Sequence, residues 1–335
     1  MLTASPRIEL LDGWHEIDQA DWDQALACSP TRTIFQTSEW LRSWWRAFGR
    51  GRLLLIGAYS QDRLTTIVPL FAEQGMVYFV GSGGSDYLDF IGPALSAHSL
   101  CAILEVAREH TLNFVGFGFY HVPDRSPTGA ALNECAVKMN LNCFDEGWLD
   151  APALRFCDWP VDRRPPAAKT SLVRHERALK KLGQVEVEHF SEFSQIEPHL
   201  SEFFKQHIDR WSETSFPSLF LDDRQCAFYH ELANSISSRG WLRFTRVALD
   251  HEPVAFHFGF QFYDNFLWYK PTYSICHASL SPGEVLLRHL ILYAQSEHIE
   301  LFDFGLGDEP FKNRFATESN CVRTWGLYPA SQALV

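Results

Sequence analysis

The most specific chemical pattern in the sequence is Ser281-Pro282-Gly283-Glu284, directly before an apolar helical run. Ser at the N-cap, Pro at the first helical position and Glu at the third predict a capping box that starts a helix. Because Gly283 has no side chain, a phosphate could approach the free N–H groups at the positive end of the helix dipole. Pro282 removes one donor and Glu284 adds a negative charge, so an ordinary helix start is the alternative. The candidate anion-binding residues are Ser281, Gly283, Glu284 and Val285.

A second pattern places a carboxylate inside an apolar strand, in Phe302-Asp303-Phe304 before a glycine-rich bend. A carboxylate between aromatic rings must find a partner or accept a raised pKa, which suits acid–base chemistry. The alternative is a structural Asp303 that accepts hydrogen bonds from the backbone of the bend. Lys312 and Arg314 follow closely and are predicted to clamp a phosphate or a polar sugar, unless they form a solvated surface pair.

Three further positions are weaker candidates. His207, Arg210 and Trp211 share one helical turn and are predicted to line a substrate cleft, or to pack on the core. His257 lies in an apolar strand, where a hydrogen-bonded core histidine is the alternative to a base. Tyr269 ends the next strand and is a candidate acid.

Composition limits the classes of partner. Lys and Arg total 29 against 41 Asp and Glu, and the net charge of −12 disfavours a surface devoted to duplex DNA, so we expect no DNA partner. The exception is the window 163–181, which has seven Lys or Arg and one Glu. The eight cysteines form no CxxC pair or Cys/His cluster, which predicts reduced thiols and no metal site. Neither a signal peptide nor an apolar run of membrane-spanning length is present, so we expect a cytoplasmic protein with no membrane span.

The order of predicted helices and strands indicates two mixed α/β domains. Residues 158–166 hold three prolines and little periodicity, which is typical of a linker. We expect an N-terminal domain at 1–157, a linker and basic helix at 158–182, and a C-terminal domain at 183–335. A helix followed by an apolar strand recurs at an offset of 187 residues, from Leu100 to Gly118 and from Leu287 to Gly305. This repeat favours a tandem duplication.

In the order of these segments, the chain resembles the tandem GNAT-fold proteins described as CelD-like or FemAB-like acyltransferases. The segments that carry the resemblance are FQTSEWLRSWWRAFG, SDYLDF, the basic helix ending KKLG, H-x-x-R-W at 207–211, SPGEVLL and FDFGLGDEPFKNRF. The resemblance implies two GNAT-like domains, each a mixed sheet flanked by helices, with the active site in the second.

The resemblance also implies the transfer of an acyl group to an amine. Asp303 is then the expected base, His257 the second choice, and Tyr269 the acid that protonates the departing thiolate. The helix start at 281–285 would bind the phosphates of acyl-CoA, either acetyl-CoA or a longer one. Lys312, Arg314, His207, Arg210 and Trp211 would bind the acceptor, a small molecule or a saccharide of the cell surface.

Two alternatives to this function stay open. A Fem-type enzyme would take its acyl group from aminoacyl-tRNA, which is disfavoured because only the window 163–181 is suitably basic. A tandem protein that has lost catalysis would act as a carbohydrate-binding or assembly module.

Overall fold

The computed structural model describes residues 6–212 and 214–330. In its first half, the described part of the chain from residue 6 to 155 forms six strands and four α-helices. The strands are β1 (Arg7–Leu11), β2 (Arg52–Ser60), β3 (Arg63–Glu73), β4 (Met76–Phe79), β5 (Gly116–Pro123) and β6 (Leu141–Arg155). The helices are α1 (Gln19–Ala27), α2 (Ser38–Phe48), α3 (Ala97–Glu109) and α4 (Thr128–Lys138).

The second half supplies the remaining elements. The helices are α5 (Thr170–Lys180), α6 (Phe193–Trp211), α7 (Asp223–Ser237), α8 (Pro282–Ser296) and α9 (Pro310–Asn313). The strands are β7 (Val185–Phe190), β8 (Leu242–Leu249), β9 (Glu252–Phe262), β10 (Asn265–Tyr273), β11 (Leu301–Asp303) and β12 (Glu318–Pro329).

The chain divides into two compact units. Unit 1 comprises residues 1–150 and 320–335, and unit 2 comprises 151–319. The sequence placed the first boundary at 157, whereas the two units divide after Asp150, within β6. The closing residues from 320 onward belong to unit 1 rather than to the second domain, because β12 pairs antiparallel with β5.

In unit 1 the strand order is β1-β2-β3-β4-β5-β12-β6. Strands β4 and β5 pair in parallel, from Met76–Gly116 to Tyr78–Gly118. Helix α2 packs its aromatic face against the core of unit 1. Trp40 is fully buried and Trp44 is nearly so. Thr37 caps the start of α2 by accepting a hydrogen bond from the N–H of Trp40.

Unit 2 repeats this pattern with the order β6-β11-β10-β9-β8-β7, in which β10 and β11 pair in parallel. The mixed sheets flanked by helices confirm the predicted fold class. Helix α8 packs on its sheet through a fully buried face that includes Val285, Leu286, Leu290 and Ile291.

The segment expected to be a linker is an integral part of unit 2. Leu172 and Leu179 of α5 are fully buried in the same core as α8. Two short 3-10 helices, Phe156–Asp158 and Pro166–Ala168, precede α5, and the second begins at the Pro165-Pro166 pair. Apolar residues at helical spacing therefore outweigh the proline content.

Candidate functional site

In unit 2, the pairing between the central strands β10 and β11 ends at Asp303. The parallel pairing of β10 with β11 runs from Asn265–Leu301 to Leu267–Asp303 and covers three pairs. There β11 ends, while β10 continues to Tyr273 with β9 on its other side. Within the described residues, no strand pairs with this edge of β10 beyond Leu267. The edge therefore offers backbone groups to an extended ligand.

A β-bulge lies at the start of this open edge. The register between β9 and β10 shifts between Leu267 and Lys270, which takes Trp268 and Tyr269 out of the regular ladder. The N–H of Tyr269 donates instead to Nε2 of His257, at 3.2 Å. Bulges bend a strand and re-aim its side chains. His257 thus supplies the acceptor that the bulge removes from the backbone.

The surroundings of His257 suit this structural role. The side chain is fully buried, and its ring stacks on those of Phe266 and Trp268 with centroids 5.7 and 5.1 Å away. Burial lowers the pKa of His257 to about 3, so the ring is neutral at neutral pH. Because Nε2 already accepts a hydrogen bond, the geometry lends no support to His257 as the base, and that assignment stays a prediction.

Asp303 stabilises the bend that follows β11. Its side chain is buried, and Oδ1 accepts the N–H of Gly305 at 2.8 Å. Gly305 has φ 67° and Gly307 has φ 109°, both in the region that favours glycine. The structural alternative from the sequence is thus present. An acid–base role at the same carboxylate stays a prediction.

Lys312 is placed differently from the expected substrate clamp. Its side chain is buried; Nζ donates to the carbonyl of Leu306 at 2.6 Å and lies 2.7 Å from Oε2 of Glu309. The ammonium group stabilises the bend at 305–307 through hydrogen bonds to its carbonyls, and it is buried from solvent. In this structure the ammonium group donates to backbone carbonyls of the bend and pairs with Glu309, and the substrate-binding role of Lys312 stays a prediction.

The helix start at Pro282 is where the sequence predicts it, but the capping box does not form. Ser281 has φ 53°, and its side chain makes no capping hydrogen bond. Glu284 turns away because its carboxylate lies 2.6 Å from the guanidinium of Arg314 and 3.3 Å from Nδ1 of His175. This pairing offsets the negative charge that the sequence set against anion binding at the helix start.

Tyr273 and Arg210 lie beside the helix start. A Cβ atom on Gly283 would be 3.2 Å from Cδ1 of Tyr273, so a glycine permits this close approach. The guanidinium of Arg210 lies 4.4 Å above the ring of Tyr273 and donates to the carbonyl of Pro271 at 2.8 Å. Burial lowers the pKa of Arg210. Sequence reasoning found Arg210 but missed Tyr273, which had no signal beyond ending its strand.

Three other predicted site residues are packed within unit 2. Nδ1 of His207 lies 2.8 Å from Oγ of Ser218, and its ring stacks on Trp211. Burial, with nearby cations, lowers the pKa of His207 to about 3. The hydroxyl of Tyr269 accepts a hydrogen bond from Tyr229 at 3.3 Å.

Val285 is fully buried in the core, so its side chain faces away from any ligand at the helix start. Its contribution there is limited to the backbone, whose N–H lies 3.4 Å from the carbonyl of Ser281. Across the described residues, no group of three or more His, Cys, Asp or Glu side chains is arranged to hold a metal ion.

Residues 167–313 match the family model described as Acetyltransferase (GNAT) domain. The match spans the open edge of β10, the start of α8 and the bend after Asp303. The protein is an acyltransferase. The match does not name the donor or the acceptor. A search of curated proteins found no matching relative.

Solved structures show the same fold over nearly the whole length of this acyltransferase. FemX is 11% identical, with a TM-score of 0.64 over 95% of this chain and 97% of that one. A tandem GNAT protein from the clavulanic acid biosynthesis pathway is 10% identical, with a TM-score of 0.55 over 97% and 99%. The C-terminal domain of a putative lysylphosphatidylglycerol synthetase from Agrobacterium fabrum is 14% identical, with a TM-score of 0.57 over 94% and 93%.

Within residues 6–212 and 214–330 of this acyltransferase, every helix is too short or too polar to cross a membrane.

Proposed function

We propose that this acyltransferase moves an acyl group from acyl-CoA to an amine of a cell-surface polysaccharide precursor or a related small acceptor. The observation that carries the proposal is the open edge of β10 from Trp268 to Tyr273. Six extended residues span roughly 20 Å. An arm with amide groups can pair along such an edge, with its phosphates toward Gly283 and its thioester toward Asp303.

In this arrangement, the amine attacks the thioester directly while both substrates are bound. The C–N bond forms, the C–S bond breaks, and most of the rate gain comes from proximity. Asp303 accepts the proton of the amine, and Tyr269 protonates the departing thiolate. Both side chains are largely buried, which keeps water from the thioester.

The helix start supports an anionic donor. The Arg314–Glu284 ion pair neutralises the carboxylate in the first turn of α8, and Arg210 lies against the neighbouring Tyr273. We assign Arg210 to the donor side of the site, while His207 and Trp211 form the packed wall behind it. Ser281 contributes a left-handed backbone that directs the chain into the helix.

The test is release of free thiol from a panel of acyl-CoA donors with amine acceptors. Asp303→Asn should lower kcat about 100-fold, because Asn loses the base yet keeps the acceptor for the N–H of Gly305. The KM for the donor should change little. Asp223→Asn, an exposed change in the same unit, is the matched control.

Unchanged turnover in Asp303→Asn would remove the base assignment. If no acyl-CoA donor gives turnover or protects the protein against heating, the donor assignment fails. Protection by an oligosaccharide alone would point to carbohydrate binding.

A second donor is favoured by one observation. The likeness to FemX covers almost all of both chains, and the Fem-type resemblance implies aminoacyl-tRNA as donor. Transfer of a labelled amino acid from charged tRNA, with no turnover of acyl-CoA, would select it.

A further inference from the structure

Unit 2 contains a cavity of about 350 Å³ that no residue of β10 lines. Four of its seven lining residues are cations and none is acidic. They are Trp159, Arg163, Arg164, Lys169, Thr170, Ser171 and Arg314. The segment 158–166, which the sequence predicted to be a linker, forms much of this wall.

Most of the positive charge here has no carboxylate partner. Within residues 6–212 and 214–330, Arg163, Arg164 and Lys169 form no ion pair with a carboxylate. Arg314 is paired with Glu284. Arg164 donates to Oγ1 of Thr170 at 3.1 Å. Burial lowers the pKa of Lys169, and the nearby Arg314 and Arg163 lower it further, as expected for a group that faces like charges.

The start of α5 adds to this positive field. Lys169 occupies the N-cap position, where it makes no side-chain cap, and the helix runs for 11 residues. A cation at this end opposes the helix dipole, since anions are the favoured neighbours there. By contrast, Thr37 and Ser96 cap α2 and α3 with their own side chains. The hydroxyl groups of Thr170 and Ser171 line the cavity beside the same helix start.

Trp159 gives the cavity a fixed aromatic wall. Its indole N–H donates to the carbonyl of Arg164 at 3.0 Å. Nζ of Lys169 lies 5.4 Å from the Trp159 ring centroid and 5.2 Å from that of Phe315, so the ammonium stays near the cavity.

The volume and the donors together define a class of ligand. A space of this size suits part of a small molecule rather than a metal ion. Guanidinium groups bind phosphate oxygens with paired hydrogen bonds, which Lys and hydroxyl groups can complement. A second cavity of about 690 Å³ shares Arg164 and Thr170 with the first. It continues along α5 past Arg174, Arg177 and Lys181.

We infer that this basic cavity binds a phosphate ester or diphosphate of a small phosphorylated ligand, whose remainder extends along α5. The binding is independent of turnover. It uses neither Asp303 nor the edge of β10, so its failure and that of the proposed reaction are separately visible.

Titration calorimetry in low salt tests the assignment with inorganic pyrophosphate as the probe. Lys169→Gln should weaken binding at least about tenfold, because charged hydrogen bonds are lost, and Arg163→Gln should do the same. Lys205→Gln, an exposed lysine of α6 in the same unit, has the same charge change and should bind as the parent protein does. In the absence of ligand, Lys169→Gln should melt no lower than the parent, because a repulsive charge is removed.

The source of the phosphate follows from competition. Coenzyme A that displaces pyrophosphate better than dephospho-coenzyme A assigns the cavity to a donor phosphomonoester. Displacement by a nucleotide-diphosphate sugar assigns it to an acceptor. The inference is overturned if pyrophosphate does not bind at millimolar concentration, or if Lys169→Gln and Lys205→Gln bind it equally. Binding of an RNA hairpin without binding of pyrophosphate would also overturn it and assign the surface to nucleic acid.

Discussion

Units 1 and 2 place a helix at equivalent positions, yet only one leaves its helix start open. Ser96 caps α3 by accepting the N–H of Ser99 at 3.1 Å, whereas Ser281 makes no such bond to α8. The strands preceding these helices differ as well. β3 and β4 pair in regular register, whereas β9 and β10 carry a bulge. The candidate site in unit 2 therefore differs from the equivalent region of unit 1 by the missing side-chain cap and by the β-bulge.

The buried polar groups of the two units differ in the same sense. In unit 1, Asp89 accepts hydrogen bonds from Thr31 at 2.8 Å and from Ser126 and Thr128 at 2.6 Å each. This carboxylate is buried and enclosed by hydroxyl groups that hold the 81–90 loop against α4. In unit 2, Oδ1 of Asp303 accepts the backbone N–H of Gly305, and the residue lies where the pairing of β10 with β11 ends. The buried carboxylate of Asp89 thus holds a loop against a helix, whereas that of Asp303 holds the bend after β11.

The largest expected effect is the response of the two units to acid. Burial lowers the pKa of His257 and His207 to about 3 and that of His189 to about 4. Their folded values lie below the unfolded value of about 6.5, so the unfolded state binds more protons between these limits. The free energy of unfolding of unit 2 should therefore fall by about 1.4 kcal/mol per histidine for each pH unit below 6.5. The fall continues down to the folded pKa of that histidine.

In unit 1, the pKa of Asp89 is raised by burial, so its contribution has the opposite sign. The stability it gives is present below the unfolded pKa of about 3.8 and is lost as the pH rises through the folded value. Hydrogen exchange at pH 7 and pH 5 should show faster opening of β8–β10 than of β2–β3 at the lower pH. Equal changes in both units would contradict the comparison.

The next effect concerns the enclosed carboxylate. Asp89→Ala should reduce the free energy of unfolding by about 3 kcal/mol, because three hydroxyl groups and the N–H of Phe90 lose their acceptor. Urea unfolding measures the loss. The KM for the acyl donor should stay the same at temperatures where the variant is folded. A raised KM in that variant would show that unit 1 takes part in donor binding.

The smallest effect compares the two helix starts directly. Gly283→Asp should raise the KM for acyl-CoA at least about tenfold, because a carboxylate repels the donor phosphates and its Cβ crowds Tyr273. Ser96→Asp is the matched change in unit 1 and should leave KM unaltered, since Asp is a good N-cap residue. Steady-state kinetics with varied donor decides the matter. Equal KM values in the two variants would place the donor phosphates elsewhere.

Local patterns in the sequence were sufficient for much of the fold. The start of α8 at Pro282 and the strand through Phe302 follow from residue spacing and turn chemistry alone. The expected capping box at Ser281 does not form, because Glu284 pairs with Arg314, which is 30 residues away in the sequence. A local rule cannot include a partner that only folding brings near.

The candidate site shows the same division. Arg210 was identified by its neighbours in the sequence, but its place above Tyr273 depends on α6 packing against β10. Lys312 was expected to face a substrate, and the fold encloses it among the carbonyls of 305–307 instead. The proline-rich segment at 158–166 was interpreted as a linker, although its residues line a cavity with Lys169.

The sequence by itself determined which segments are helices and strands, because hydrophobic periodicity and capping act over a few residues. It also indicated two similar mixed α/β halves, and it predicted that the chemistry takes place in the second. Only the tertiary structure decided which charges are paired, where β10 loses its neighbour and which cations share a cavity. Those features depend on contacts between residues far apart in the chain, and such contacts form only when the core brings their elements together.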